Sequence, residues 1–478
     1  MLLGIAIILL VSVLSSKIMV KIGVPTLLVF ILIGMFLGED GFVGINFDNA
    51  KIANDLGFFA LAIIIFYGGL STNWQKAKKS LVPSGILASV GIVITTFIIA
   101  LFVNLVFHLP LLEGLLLGAI LSSTDPASVF SILTTHKLNL KSNMSYLLEM
   151  ESGSNDWISF TLTMIFINLI LGVSVNVPLV IFLEIFLGAI CGLVIGKLSV
   201  YLINKIDLSN DGMYSVLLIG IALFSYAFTK QIHGNGFLSI YLTGIVIGNH
   251  RIVHRFSLIK YFDGLSWLLQ IGLFLMLGLL VVPHELPNVV LDGFVIMVFL
   301  TLIARPIVVF ICLIFSKYTI KEKLLISWGG FRGAASIVFA AAALTYPIES
   351  ARWIFNIVFV VCILSVVIQG SLFIVIAKQL DVIEDDKLSL TKIYDESGKI
   401  TAEMLEVVIP NNSKAVNKMI VDLDLPDDIL IVMIKREGKV IIPRGNVKIM
   451  AHDSLLFAGD KAQLFSLGKQ INSLTKNK

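Results

Sequence analysis

The stretch MESGSNDWISF, Met150 to Phe160, sets two carboxylates, Glu151 and Asp156, inside a long apolar run. On a helix, Glu151 and Asn155 share one face, while Ser152 and Asp156 share another, rotated by about 100°. The first pair suits a clamp onto an arginine, and the second offers oxygens to a cation. A second cluster, SSTDPAS, carries Thr124 and Asp125 ahead of Pro126, which removes a backbone donor and disfavours helical geometry at Asp125. A helix opened there exposes carbonyl oxygens beside a carboxylate, and such backbone is tolerated in a membrane only where protein or a wet cavity satisfies it. A third cluster, GGFRGAAS, surrounds Arg332 with Gly329, Gly330 and Gly333 and is equally breakable. Another arginine, Arg305, lies in LIARP. ESGSN is not a GxSxG elbow, and the segments around Asp125 and Asp156 hold no histidine to act as base, so the chain does not read as an enzyme.

The elements that carry these residues are membrane spans. The chain has 478 residues, 57% apolar and 14% charged, with a mean hydropathy of +0.96, far above soluble domains. A crossing helix needs roughly 20 apolar residues. Runs of about that length fall near 1–20, 22–38, 55–71, 81–107, 112–135, 144–171, 178–203, 212–230, 235–249, 263–282, 288–315, 322–345 and 352–377, here numbered spans 1 to 13. Met1 to Val20 lacks a basic start and a small-residue cleavage site, and is read as span 1 rather than a leader. The expected fold class is an all-α polytopic membrane protein of about thirteen helices with two broken ones, followed by a small α+β domain.

Basic residues set the orientation. Alternate loops hold Lys17, Lys21, Lys76, Lys78, Lys79, Lys137, Lys141, Lys205, Arg251, Arg255, Lys260, Lys317, Lys321 and Lys323, fourteen in all, against Lys51, Lys230 and Arg352, three. The amino terminus is therefore expected outside and the carboxyl terminus in the cytoplasm. Spans 5 and 12 then cross in opposite directions, as inverted repeats of secondary transporters do around a midplane site. The net charge of +3 argues for no nucleic acid partner, and Cys191, Cys312 and Cys362 have neither metal nor disulfide spacing.

Past Ala377 the composition turns polar. The expected division is a transport domain over 1–378, a linker over 379–400 and a cytoplasmic regulatory domain over 401–478. In the last, MLEVVIP, DILIVMIKREGKVIIP and DSLLFAGD read as strands and SKAVNKMIVDLDL as a helix leading into a turn.

Ionisable residues inside spans must be paired, wet or functional. For Glu149 and Lys197 an ion pair or a side chain snorkelling to the interface is the simpler reading. Asp125 and Asp156 are too short to snorkel far. The alternative for SSTDPAS is a plain proline kink, and spacing does not decide whether Arg305 or Arg332 meets Glu151.

STDPASV, ESGSNDW, GNGFLSIYLTGIVIGN, LIARP and GGFRGAASI together resemble the CPA-1 family of monovalent cation:proton antiporters over nearly the whole membrane part. The resemblance implies that Asp156 alternately binds cation or proton, with Thr124, Asp125 and Ser152 near the ion. It also implies that Arg305 holds Glu151 and Asn155, that Arg332 steadies the broken span 12, and that the protein is a homodimer in the lipid bilayer of a bacterial cell. Several relatives carry an acid in span 3 where this chain has Tyr67. The tail is similar to the C-terminal lobe of RCK domains, also called TrkA-C, except that Asn417 and His452 stand where relatives usually have glycine. Some such tails bind cyclic di-AMP between two subunits, and antiporters carrying them resemble potassium:proton exchangers more than sodium ones. No GxGxxG occurs, so no nicotinamide cofactor is expected. The rival reading is a cation channel gated by the tail, but the chain has no TVGYG filter.

Overall fold

The computed structural model describes residues 10–14, 26–125 apart from 43, 46 and 48, then 129, 132–133, 138–384, 389–394 and 400–459, the last range with short interruptions. Most of span 1, the start of span 2, and Pro126 with most of the residues after it in span 5 lie outside the described residues. Two units are distinguished, one within 1–384 and the other comprising 385–478 with 253–256.

Among the described residues, the first unit is helical where the sequence is continuously apolar. Seven described helices are long and apolar enough to cross a membrane, among them Ala50–Ser71, Trp74–Phe107, Val177–Lys205 and Ala351–Gln379. Span 6 is one unbroken helix, Met144–Ile170. Polar caps begin several helices of this unit: Asn49, Asn176 and Asn235 each accept a first-turn N–H. Thr319 and Glu322 form a reciprocal capping box at the start of span 12. Lipid offers no hydrophobic drive for helix association, so close packing must supply it. Spans 3 and 9 accordingly meet backbone to backbone, and a methyl group on Gly248 would lie 2.1 Å from the Leu70 carbonyl oxygen.

Contacts between loops tie the helix ends together. At one end β1 (Asn139–Leu140) pairs antiparallel with β2 (Ile383–Glu384), and Asn249 donates to the Thr72 carbonyl at 2.9 Å. At the other, Arg352 pairs with Glu285 at 2.9 Å and His284 with Asp40.

The second unit is a five-stranded antiparallel sheet in the order β3 (Ser389–Tyr394), β4 (Ile400–Val408), β7 (Ser454–Gly459), β5 (Ile429–Arg436), β6 (Lys439–Ile441). Two expectations change here. The stretch 379–400 contains β3, which pairs with β4. Among its described residues SKAVNKMIVDLDL forms no α-helix, only a turn and the single 3-10 turn Ile420–Asp422. Its backbone bonds instead to the 445–449 segment: Asn417 N–H to Ile449 O, Ile449 N–H to Lys418 O and Ile420 N–H to Val447 O. Asn417 and His452, the two departures from glycine, both adopt left-handed backbone at φ 67°, the conformation that glycine would favour there.

Candidate functional site

Spans 5 and 12 both break, and the breaks meet. Helix Leu111–Ser122 ends into non-helical Ser123–Asp125. Across from it, residues 329–333 separate helix Ile320–Trp328 from Ala334–Ala343. Each break satisfies backbone groups of the other, as buried backbone requires. The Asp125 N–H donates to Phe331 O at 2.9 Å. The guanidinium of Arg332, 1% exposed, donates to the carbonyls of Ser122 at 3.0 Å and Ser123 at 2.8 Å. These carbonyls are orphaned where the span 5 helix stops, at the negative end of its dipole. Two glycines make the crossing feasible. A methyl on Gly333 would sit 2.5 Å from Asp125 Cβ, and one on Gly330 would sit 2.7 Å from Arg305 Nε.

Span 6 lies against this crossing. Arg305 follows a π-turn, Leu300–Ala304, and its Nη2 donates to Glu151 Oε1 at 2.6 Å, with the side chains 5% and 2% exposed. Arg305, not Arg332, is the arginine that meets Glu151. Asn155 does not share that clamp in the way expected. One turn further along span 6, it is level with the break of span 5, and its Nδ2 donates to Thr124 Oγ1 at 2.5 Å. The Thr124 hydroxyl also lies 2.8 Å from that of Ser152. Ser123 Oγ donates to Asp156 Oδ1 at 2.5 Å.

Thr124, Asp125, Ser152 and Asp156, the four expected cation neighbours, thus line a single cavity of about 400 Å³. Its other wall is span 3 from Leu61 to Ser71, with Tyr241 and Gln270. The other end of span 3, from Asn54 to Phe58, borders a second cavity of about 560 Å³ that also holds Glu184 and Asn235. Phe160 packs edge-on against Phe58 and Phe237 and tilts against Phe339 beside this second cavity.

Several polar partners were not legible beforehand. Ser123 stands in the quoted SSTDPAS, yet nothing in the spacing says that it rather than Thr124 reaches Asp156. Ser365 accepts the Arg332 N–H at 3.1 Å, and Trp328 Nε1 donates to the Gln369 carbonyl at 3.0 Å. Span 13 therefore braces the broken span 12. Tyr67 donates to Asp263 at 2.8 Å. Glu184, an overlooked carboxylate in span 7, accepts from Thr161 and Asn235. Glu149, expected in an ion pair or snorkelling to the interface, lines the first cavity beside the Thr72 hydroxyl. The residues at the crossing suit a dehydrated monovalent cation: two carboxylates, two hydroxyls and opened backbone, with no His/Cys/Asp/Glu metal cluster among the described residues.

Residues 5–379 match the family described as Sodium/hydrogen exchanger, transmembrane, and residues 404–472 match the TrkA-C domain. The chain is 35% identical over 460 residues to a protein named K(+)/H(+) antiporter NhaP of Alkalimonas amylolytica, covering 95% of this chain and 80% of that one. It is 34% identical to K(+)/H(+) antiporter NhaP2 of Shewanella baltica, covering 98% and 82%. The sodium proton antiporter MjNhaP1 of Methanocaldococcus jannaschii at pH 8 superposes with a TM-score of 0.70 at 23% identity, over 78% of this chain and 97% of that one.

Proposed function

The chain belongs to the sodium/hydrogen exchanger family, and from that premise we propose that it exchanges a monovalent cation, potassium by preference, for protons at Asp156. The observation that carries this reading is the charge count at the crossing. Two buried arginines, Arg305 on Glu151 and Arg332 on the Ser122 and Ser123 carbonyls, stand among three carboxylates, Glu151, Asp125 and Asp156. Two positive and two negative charges cancel, and Asp156 is left over. A buried, unpaired carboxylate costs on the order of several kcal/mol unless it takes up a proton or a counter-charge. Asp156 is therefore stable with a proton or with a cation, and not bare. Burial favours the protonated acid and a bound cation favours the ionised one, so the two ligands exclude each other.

Asp125, Thr124 and Ser152 supply further oxygens, while Glu151, Asn155, Arg305 and Arg332 hold the frame. Carrying Asp156 across only in its neutralised forms gives one positive charge each way, an electroneutral cycle to which Asn155 adds no titrating group. The 400 Å³ cavity beside Asp156 is the access route in this conformation. Lysine and arginine asymmetry supports a cytoplasmic mouth beside Ser71 and Glu149. Potassium is favoured because the relatives that cover both the membrane part and the tail are named for it.

The test is cation-driven dequenching of a pH-sensitive dye in everted vesicles from antiporter-deficient cells, with potassium, sodium and lithium compared. A potassium response that Asp156→Asn abolishes is expected. Full exchange in that variant overturns the assignment, and current without a proton gradient indicates a channel. The tail reads as a regulator, with cyclic di-AMP between the tails of a homodimer as the first ligand to try. Removing residues 395–478 is expected to change the activating pH or ligand response while exchange persists.

A further inference from the structure

Glu149 stands outside the machinery just described, yet it shares the cavity with it. Glu149, Ser152 and Asp156 are spaced i, i+3 and i+7 on the unbroken helix Met144–Ile170, and all three line the same cavity. At ~1.5 Å rise per residue, Glu149 lies about 10 Å from Asp156 along the helix, a gap that a few cavity waters span. Between them lie Ser152 and the Tyr241 hydroxyl, which a methyl on Gly153 would meet at 2.6 Å, and Leu61, Ile64 and Ile65 line the cavity as well.

The contacts at Glu149 pose a hydrogen-counting problem. The Thr72 hydroxyl oxygen is 2.7 Å from Gly68 O and 2.8 Å from Glu149 Oε1. Two oxygens that close repel unless a hydrogen lies between them. Threonine has one hydroxyl hydrogen and cannot fill both contacts at full strength. Both are filled when Thr72 donates to Gly68 O and a protonated Glu149 donates to Thr72. Thr72 is 1% exposed, so water does not offer the missing hydrogen.

We propose that Glu149 is a proton-holding station between the cavity mouth and Asp156, protonated in this conformation and exchanging its proton with Asp156 through cavity water. The step balances. As the cation leaves, the Glu149 carboxyl gives its proton to the Asp156 carboxylate, and the resulting Glu149 carboxylate takes another from water at the mouth. Running in reverse, it clears the proton before a cation binds. The groups around it leave this role open. Span 3 presents Tyr67, committed to Asp263 of span 10; span 9 presents Tyr241, and the crossing presents Asp125 and Asp156. Lys76, after span 3, lies over the Tyr146 ring at 5.6 Å. Among the described residues no lysine or arginine lines the cavity.

This inference rests on the assignment of Asp156 as the carrier, and the test separates the two. Glu149→Gln keeps the shape and a donor toward Thr72, so it folds as the protonated wild type does. In everted vesicles, Glu149→Gln is expected to lower the maximal exchange rate several-fold and remove one ionisation from its pH profile, with the cation KM within twofold of wild type; Glu149→Asp restores part of the rate. In purified full-length protein, the infrared carbonyl band of a protonated carboxylic acid is expected to lose intensity in Glu149→Gln. Unchanged rate and pH profile in Glu149→Gln, with Asp156→Asn inactive, overturns the station alone. Exchange surviving in Asp156→Asn overturns the carrier assignment and the station with it. An unchanged infrared band overturns the protonated state.

Discussion

Arg305 and Glu151 meet at 2.6 Å with almost no exposure, and their carboxylate and guanidinium still leave one buried atom each, Oε2 and Nε, without a hydrogen-bond partner among the described residues. Such a pair holds geometry more than it adds net stability, because its Coulomb gain is offset by desolvation. Removing one member strands the other. Arg305→Ala is therefore expected to destabilise by about 3–5 kcal/mol, read as a fall in melting temperature in detergent. Replacing both partners by apolar residues of similar size, Arg305→Met with Glu151→Leu, is expected to recover much of that loss. An Arg305→Ala protein that melts like wild type refutes the clamp.

Gly333 gives a sharper test of the crossing. A methyl there would lie 2.5 Å from Asp125 Cβ and 2.6 Å from Asp125 Oδ2, so Gly333→Ala must displace Asp125 from its present position in the cavity wall. Displacing a positioned group by about 1 Å can cost on the order of 100-fold in rate. Exchange in vesicles is expected to fall at least tenfold in Gly333→Ala, with surface expression retained. Wild-type exchange would mean that Asp125 need not stay where it is.

The membrane architecture was readable because lipid enforces a simple rule: apolar runs of sufficient length become helices. The breaks were readable as well, since the glycines around Arg332 signal lost helical propensity directly. Pairings were not. Glu151 and Asn155 share a face at spacing four, but the level of the span 5 break, which only the assembled bundle reveals, turns Asn155 to Thr124. Ser123 and Thr124 are adjacent and chemically alike, so their division of labour between Asp156 and Ser152 depends on the backbone after Ser122. The tail misled for another reason. SKAVNKMIVDLDL fits a helical period about as well as an extended one, and its backbone partners at 445–449 lie about 30 residues away.

Those tail turns lead to a stability prediction. His452 holds φ at 67°, a conformation that costs most L-residues about 1–2 kcal/mol. Its N–H donates to Ile409 O at 2.8 Å, a bond that glycine keeps. His452→Gly relieves the strain but adds unfolded-chain entropy of about 1 kcal/mol, for a net gain of up to about 1 kcal/mol. Amide exchange in β4 and β7 of the full-length protein is expected to slow by up to roughly fivefold. Asn417→Gly should gain less, since asparagine tolerates left-handed backbone better. Faster exchange in His452→Gly would show that the histidine side chain contributes more than its backbone costs.

Asp453 ties the same turn to pH. Burial alone would push its carboxyl up, but hydrogen bonds from Arg436, the Met450 N–H and the guanidinium charge outweigh that and hold it below the usual carboxylate range. Arg436 Nε reaches Oδ1 and Nη2 reaches Oδ2, both at 2.8 Å. A carboxyl whose folded pKa is depressed favours the fold above its unfolded pKa, about 3.9 for aspartate. That contribution is lost as pH falls through the lower, folded value. The sheet of the tail is therefore expected to hold its amide protection from neutral pH down to about 4 and lose it progressively below. Asp453→Asn removes the titrating charge and should flatten this acid dependence while lowering protection at neutral pH. An acid limb unchanged in Asp453→Asn would place the sensitivity elsewhere in the tail.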